Sequence, residues 1–340
     1  MERAQFYKTL DDGTAKCQLC PHGCLIGNNE HGFCNTRVNH EGNLYTETFG
    51  KLTAISLDPI EKKPLYHFYP GTKILSIGSF GCTLKCSFCQ NYRISQVLPG
   101  NFTQYANYNP ETVVKLALGK PGNIGIAFTY NEPTTFYEFM LETAKIAVIQ
   151  GLKTVMVTNV YINPKPLEML LPYMDAFNVD MKAFSDSFYQ SVTQSKLGPV
   201  KMAIKQIADS QKHLEITNLV IPGLNDNVDD FKEMVRWIAC ETGDRTVLHL
   251  SRYFPNYQLE TSPTPIQVLH ELYEIAKKHL KYVYLGNVID TERNTTYCDK
   301  CENQLIVREL SNTTIIGLDK KGNCTKCGNP ILENSDLITN

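Results

Sequence analysis

"KILSIGSFGCTLKCSFCQNYR", residues 73–93, runs from an apolar, β-rich stretch into a glycine-bearing loop with cysteines at 82, 86 and 89. The spacing is C-x3-C-x2-C. Soft metals on thiolates usually settle with four ligands, so three on one loop mean either a remote fourth ligand or a position left open for a substrate. A cubane iron–sulfur cluster held by three local thiolates leaves its fourth iron free. A structural zinc ion borrowing a distant ligand is the competing reading. Gly78 and Gly81 let the backbone pass close to a bulky inorganic group. In parallel α/β folds chemistry gathers where strands end and helices begin, and Cys82, Cys86 and Cys89 follow the run 73–78 at that end.

That run is the first of seven. The others are "NIGIAF" (123–128), "TVMVTN" (154–159), "AFNVDM" (176–181), "LEITNLVI" (214–221), "TVLHLS" (246–251) and "YVYLGN" (282–287). Amphipathic stretches at 111–119, 134–150, 165–173, 199–210, 228–241 and 264–280 alternate with them and predict helices. Apolar runs separated by helices predict a parallel sheet covered by helices. Seven strands are too few for a closed eight-unit barrel. The expected fold is therefore α/β, a partial (β/α)6-type TIM barrel, with a doubly wound sheet as the alternative. Small Cys-rich modules are expected at both ends: residues 1–50, then the barrel over 51–290, then 291–340.

The chain has 340 residues, a net charge of −2 and 12 cysteines. The near-neutral balance gives no reason to expect a nucleic-acid partner. The polar N-terminus "MERAQFYKTLDDG" lacks the apolar core of a signal peptide, and no apolar run approaches bilayer length, so a cytoplasmic protein without a membrane partner is expected. The cysteines fall in three groups apart from Cys240, whose place in "VRWIACE" predicts a buried apolar residue. Paired C-x2-C units in such a chain read as metal ligands, not disulfides.

Cys17, Cys20, Cys24 and Cys34 offer four thiolates, enough to close around zinc or a second iron–sulfur cluster. Zinc is preferred, because the spacing lacks the ferredoxin run. His22 and His31 are read as unligated loop residues. Cys298, Cys301, Cys324 and Cys327 form C-x2-C-x22-C-x2-C, a zinc-ribbon pattern, with rubredoxin-like iron as the minority reading. Tyr66, His67, Phe68 and Tyr69 either line a site mouth or pack as an aromatic cap. His249 is read as a hydrogen-bonded interior residue.

C-x3-C-x2-C with an aromatic residue at position 88 resembles the signature of radical S-adenosylmethionine (radical SAM) enzymes. "CQLCPHGC", "EKKPLYHFYPG", "YNEPT" and "LHLSRYFPNY" narrow the likeness, over about residues 15–290, to the AmmeMemoRadiSam-system enzymes, akin to pyruvate formate-lyase-activating enzymes. The resemblance implies that Cys82, Cys86 and Cys89 hold a [4Fe-4S] cluster whose open iron binds S-adenosylmethionine. Reductive cleavage would give methionine and a 5′-deoxyadenosyl radical that abstracts hydrogen from a substrate not identified by the sequence. It implies that Asn131 and Glu132 stand where the family contacts the methionine amino group, that Asp180 and Lys182 touch the cofactor, and that Phe88 shelters the adenine edge. Thr158-Asn159 and "VIPGLND" (220–226) match further rim segments. A flavodoxin- or ferredoxin-type electron donor is implied, and Memo and AMMECR-type proteins as partners. Two alternatives stay open: a glycyl-radical-enzyme activase, although the usual two-cluster insert is absent, and a metal-stabilised electron-transfer or scaffold protein without this chemistry.

Overall fold

A computed structural model of the chain describes residues 1–98, 100–101, 104–309 and 312–332. All seven runs are strands: β2 (Lys73–Gly78), β3 (Asn123–Phe128), β4 (Lys153–Thr158), β5 (Ala176–Asp180), β6 (His213–Val220), β7 (Val247–Arg252) and β8 (Val283–Gly286). From β3 on each lies parallel to its predecessor, and the sheet order is β8-β7-β6-β5-β4-β3-β2, with one more strand beyond β2. The edge strand β1 (Ala54–Pro59) is antiparallel to β2. Its burial alternates irregularly and it ends in proline, so it carried no clean strand pattern.

Helices α1 (Pro110–Leu118), α2 (Tyr137–Ile149), α3 (Pro164–Leu170), α4 (Leu197–Asp209), α5 (Val228–Thr242) and α6 (Ile266–Lys277) fill the predicted intervals. A short helix, Asp186–Val192, precedes α4 and was not legible in the sequence. The fold is a mixed α/β partial TIM barrel with a mostly parallel central sheet.

The two faces of the sheet differ. Leu75, Ile77, Ile126, Phe128, Ile216 and Leu250 join the core shared with the helices. Their neighbours Ser76, Asn178, Thr217, His249 and Ser251 turn the other way. The interior of the barrel is thus polar towards the carboxyl ends of the strands, although the runs read as apolar on both faces.

Below this polar layer, residues 65–69 fill the barrel interior. The Tyr66 and His67 amides donate to the two carboxylate oxygens of Glu215 at 2.9 and 2.7 Å, and Asn178 Nδ2 donates to Pro64 O at 2.8 Å. His249 Nε2 lies 2.6 Å from Glu215 Oε2, which makes it an interior hydrogen-bonded residue. The aromatic stretch is a packed plug, with His67, Phe68 and Tyr69 buried.

Cys240 departs from expectation and is exposed. Helix α5 buries Phe231, Met234, Val235 and Ile238, a stripe at helical spacing, and Cys240 falls on the opposite side of it. Among the described residues, no helix is long and apolar enough to cross a membrane.

At the start of the chain, two three-stranded sheets lie within residues 2–46. At the end, strands Thr296–Tyr297, Gln304–Glu309 and Asn312–Ile315 form a third. The expected terminal segment 291–340 includes 333–340, which lie outside the described residues.

Candidate active site

The cysteine loop is fixed by side chains from successive strand ends. Asn131, just after β3, donates from Nδ2 to Phe80 O (2.8 Å) and Gly81 O (3.0 Å) and accepts from the Ser79 amide at 2.9 Å. Asn159, just after β4, donates from Nδ2 to Cys82 Sγ at 3.5 Å and accepts from Thr83 Oγ1 at 3.1 Å. On the far side, the Lys85 amide donates to Thr193 O at 2.9 Å. Gly81 has φ +79°, and a Cβ there would collide with Thr36 Cγ2 and sit 2.7 Å from Cys34 O. Only glycine fits.

Cys82, Cys86 and Cys89 line one cavity of about 560 Å³ at the carboxyl ends of the strands. Burial pushes all three thiols up, Cys86 to about 12 against the opposing pull of Lys182. As free thiols they hold their protons, so a metal bound here must displace them.

Asp180 and Lys182 line the same cavity. Their ion pair is 2.9 Å long, and the Lys182 ammonium stands 5.9 Å from the centre of the Phe88 ring. Burial alone would lower the Lys182 pKa; Asp180 and Cys86 outweigh it, so the pKa is raised and the charge is kept. The "VIPGLND" segment and strand β6 support this pair from behind: Asn225 Nδ2 donates to Lys182 O at 2.6 Å, and Asn218 Nδ2 of β6 donates to Met181 O at 2.8 Å.

Glu132 is buried and accepts four hydrogen bonds. Its Oε1 takes the Thr134 amide (3.0 Å), Thr134 Oγ1 (2.6 Å) and Thr158 Oγ1 (2.8 Å), and its Oε2 takes the Asn159 amide (2.9 Å). Burial raises the Glu132 carboxyl, and these donors hold it back. Glu132 and Asn131 therefore tie β3, β4 and the loop together, while both still border the cavity. The amide of Asn131 is spent on loop backbone.

Three further cavity residues carried no assigned role in the sequence: Asp58, Lys63 and Tyr130. Lys63 Nζ lies 2.8 Å from Asp58 Oδ2, and the Tyr130 hydroxyl donates to the same oxygen at 2.6 Å. Tyr130 is held at φ +71°, an uncommon conformation for a bulky residue. Their joining depends on β1 lying beside β2, and that edge strand was itself unreadable.

The flanking cysteines differ in geometry. Cys298 and Cys327 have sulfurs 3.6 Å apart, and Cys301 and Cys324 3.7 Å apart. A tetrahedral ion with metal–sulfur bonds of about 2.3 Å needs sulfurs about 3.8 Å apart. Among the described residues, these four are the one metal-ligating group with all ligand atoms within 4.8 Å of one another. Cys17, Cys20, Cys24 and Cys34 also converge: burial raises the Cys20 thiol, and Cys34, Cys17 and Cys24 are all near enough to add to it. His22 Nε2 lies 2.8 Å from Thr83 O and His31 Nε2 2.9 Å from Glu47 Oε2, so both imidazoles have other partners.

Known proteins share this fold. The family profile of the Radical SAM superfamily matches residues 76–238. An uncharacterized protein of Methanocaldococcus jannaschii, MJ0808, is 42% identical over 97% of this chain and 99% of its own length. A radical SAM methyltransferase from Sphaerobacter thermophilus has a similar structure, with a TM-score of 0.50 and 15% identity over 64% of this chain and 67% of that one. Streptococcus suis SuiB, in a structure bound to S-adenosylmethionine, matches with a TM-score of 0.50 and 14% identity over 66% of this chain and 55% of that one. These two likenesses speak to the fold. The chain thus carries a Radical SAM domain that runs from the first parallel strand to α5, and it belongs to one family with the M. jannaschii protein.

Proposed function

We propose that the protein is a radical enzyme in which Cys82, Cys86 and Cys89 hold a [4Fe-4S] cluster and the cavity beside them seats S-adenosylmethionine. The observation that carries this reading is that three thiols from one loop open into a single cavity with a buried Lys182–Asp180 pair. The donor set fits the group: the three sulfurs are not drawn into the close spacing of a single ion, and no fourth cysteine borders the cavity among the described residues. When bound, the two groups supply reductive cleavage of the sulfonium to methionine and a 5′-deoxyadenosyl radical that takes hydrogen from the substrate.

The chain's own residues bind, orient and enclose. Lys182 offers a permanent positive charge to a carboxylate, and Asp180 aims it. Glu132 lends negative potential where an ammonium would sit, without leaving its four donors. Phe88, 5% exposed, gives a flat apolar edge for a base. Asn159 donates to Cys82 Sγ and so helps set the potential of whatever that sulfur binds.

The C-terminal four cysteines are read as a zinc ribbon, because their sulfur spacing suits one tetrahedral ion. The motifs quoted above favour the AmmeMemoRadiSam group, with a flavodoxin- or ferredoxin-type donor and Memo and AMMECR-type partners. Anaerobically reconstituted protein given dithionite and S-adenosylmethionine should release 5′-deoxyadenosine, and Cys86→Ala should abolish the release. Release that survives the substitution removes the cluster from the mechanism.

A further inference from the structure

The sequence alone favoured zinc at the N-terminal cysteines; sulfur spacing and location point elsewhere. The ribbon cysteines close to 3.6 and 3.7 Å, as one tetrahedral ion requires. Cys17, Cys20, Cys24 and Cys34 converge but do not all fall within 4.8 Å of one another, and in this they match the loop cysteines and not the ribbon. A cubane is larger than a single ion, so its four thiolates must stand farther apart.

The surroundings are also unlike those of an inert clip. Arg37, 1% exposed and paired with the buried Glu138, places Nη1 3.9 Å from Cys17 Sγ. Its Nε is buried without a hydrogen-bond partner. The Phe33 amide donates to Cys24 Sγ at 3.4 Å, and Thr36 Oγ1 lies 3.2 Å from Cys34 Sγ. Donors and a fixed cation around thiolates stabilise the extra electron of a reduced cluster.

The N-terminal group also shares a wall with the loop. Cys34 O, together with Thr36 Cγ2, forbids a side chain at Gly81, one residue before Cys82. His22 stacks on Phe33 with ring centres 3.9 Å apart and reaches Thr83 O at 2.8 Å. Lys85 Nζ lies 5.2 Å above the same Phe33 ring. The two cysteine segments are thus in direct contact through Cys34 and Gly81, His22 and Thr83, and Phe33 and Lys85.

We propose that Cys17, Cys20, Cys24 and Cys34 hold a second iron–sulfur cluster that relays single electrons to the cluster on the 82–89 loop. The relay role rests on the radical SAM reading of that loop; the identity of the N-terminal group does not. In the transfer one electron leaves the N-terminal cluster and enters the loop cluster, with no bond made or broken. A low-potential one-electron donor of the flavodoxin or ferredoxin class restores the first cluster.

The test compares the anaerobically reconstituted full chain with a Cys82→Ala/Cys86→Ala/Cys89→Ala variant and a Cys20→Ala/Cys34→Ala variant. The wild-type chain should carry about eight iron and eight sulfide, and the triple variant should keep about four of each with a paramagnetic signal after dithionite. The two reduced signals should broaden each other in the wild type and sharpen in both variants. Zinc without sulfide in the triple variant would overturn the second cluster. If that variant does not fold, wild-type protein with about four iron and about two zinc, one more than the ribbon holds, overturns it equally. Equal iron in the wild type and the triple variant would instead count against the loop cluster. Eight iron with two signals that never broaden would leave the cluster and overturn the relay.

Discussion

The Lys182 ammonium lies 2.9 Å from Asp180 Oδ2, inside the cavity that also holds the three loop cysteines. The pair spans the end of β5, and Asn225 and Asn218 hold the backbone carbonyls of Lys182 and Met181. A charge so fixed costs little further ordering when an anionic group arrives. Lys182→Met should therefore weaken S-adenosylmethionine binding roughly ten- to hundredfold, the worth of a charge-assisted hydrogen bond. Iron content should stay unchanged, and equilibrium binding on the reconstituted protein checks both. Unaltered affinity would place the cofactor elsewhere.

Asn159 is the one polar side chain outside the loop that donates to Cys82 Sγ among the described residues. Removing it as Asn159→Ala takes away a donor that stabilises the reduced state. The loop cluster's potential should move to a more negative value, seen in a redox titration, with slower formation of 5′-deoxyadenosine. A potential unmoved by the substitution would mean the contact serves only the loop's shape.

Gly81→Ala introduces a Cβ into Cys34 O and Thr36, at a positive φ that alanine avoids. The strain is about 1–3 kcal/mol before any clash is counted. The chain should still fold but load less iron on the loop. Iron and sulfide analysis beside a thermal melt reads the two effects separately.

His67 is buried, and burial lowers its pKa from 6.5 to about 3. In the folded state it stays neutral, whereas in the unfolded chain it takes a proton below pH 6.5. The folded state binds fewer protons in that window, so stability is full above it and falls as pH drops from 6.5 towards 3. Each unit of pH deep in the window costs about 1.4 kcal/mol. His67→Gln should flatten the difference in denaturant midpoint between pH 7.5 and about 5.5; matching slopes in the two proteins would count against the assignment.

The ribbon should hold one zinc ion, and Cys301→Ser should release it. Arg308, beyond the first C-x2-C pair, donates from Nη2 to Tyr66 O at 2.6 Å and stacks 4.1 Å from the Tyr66 ring centre. Zinc loss should therefore loosen the barrel plug as well as the ribbon. Limited proteolysis should show new cleavage at 296–332 and near residue 66, with full zinc retention the contrary result.

Much of this protein is legible in local spacing. The interval between Cys82, Cys86 and Cys89 places their thiols on one loop whatever the rest of the chain does, and the seven runs name the parallel strands because each is buried within a few residues of itself. The same logic brings Cys298, Cys301, Cys324 and Cys327 into one group. Periodicity misjudged Cys240, since an apolar neighbourhood does not say which side of a helix meets the core.

Only the tertiary structure decided what each rim residue touches. Asn131 and Glu132 read as cofactor contacts; that they also bond to Gly81, 50 residues earlier, and to Thr158, 26 residues later, is not written in their neighbourhood. The Asp58–Tyr130 contact spans 72 positions and needs the antiparallel strand β1 to lie against β2. The abutment of the N-terminal cysteines on the 82–89 loop is of the same kind. Sequence spacing sets which donors a short segment can offer together, but the choice of partner across a barrel belongs to packing, which no single stretch contains.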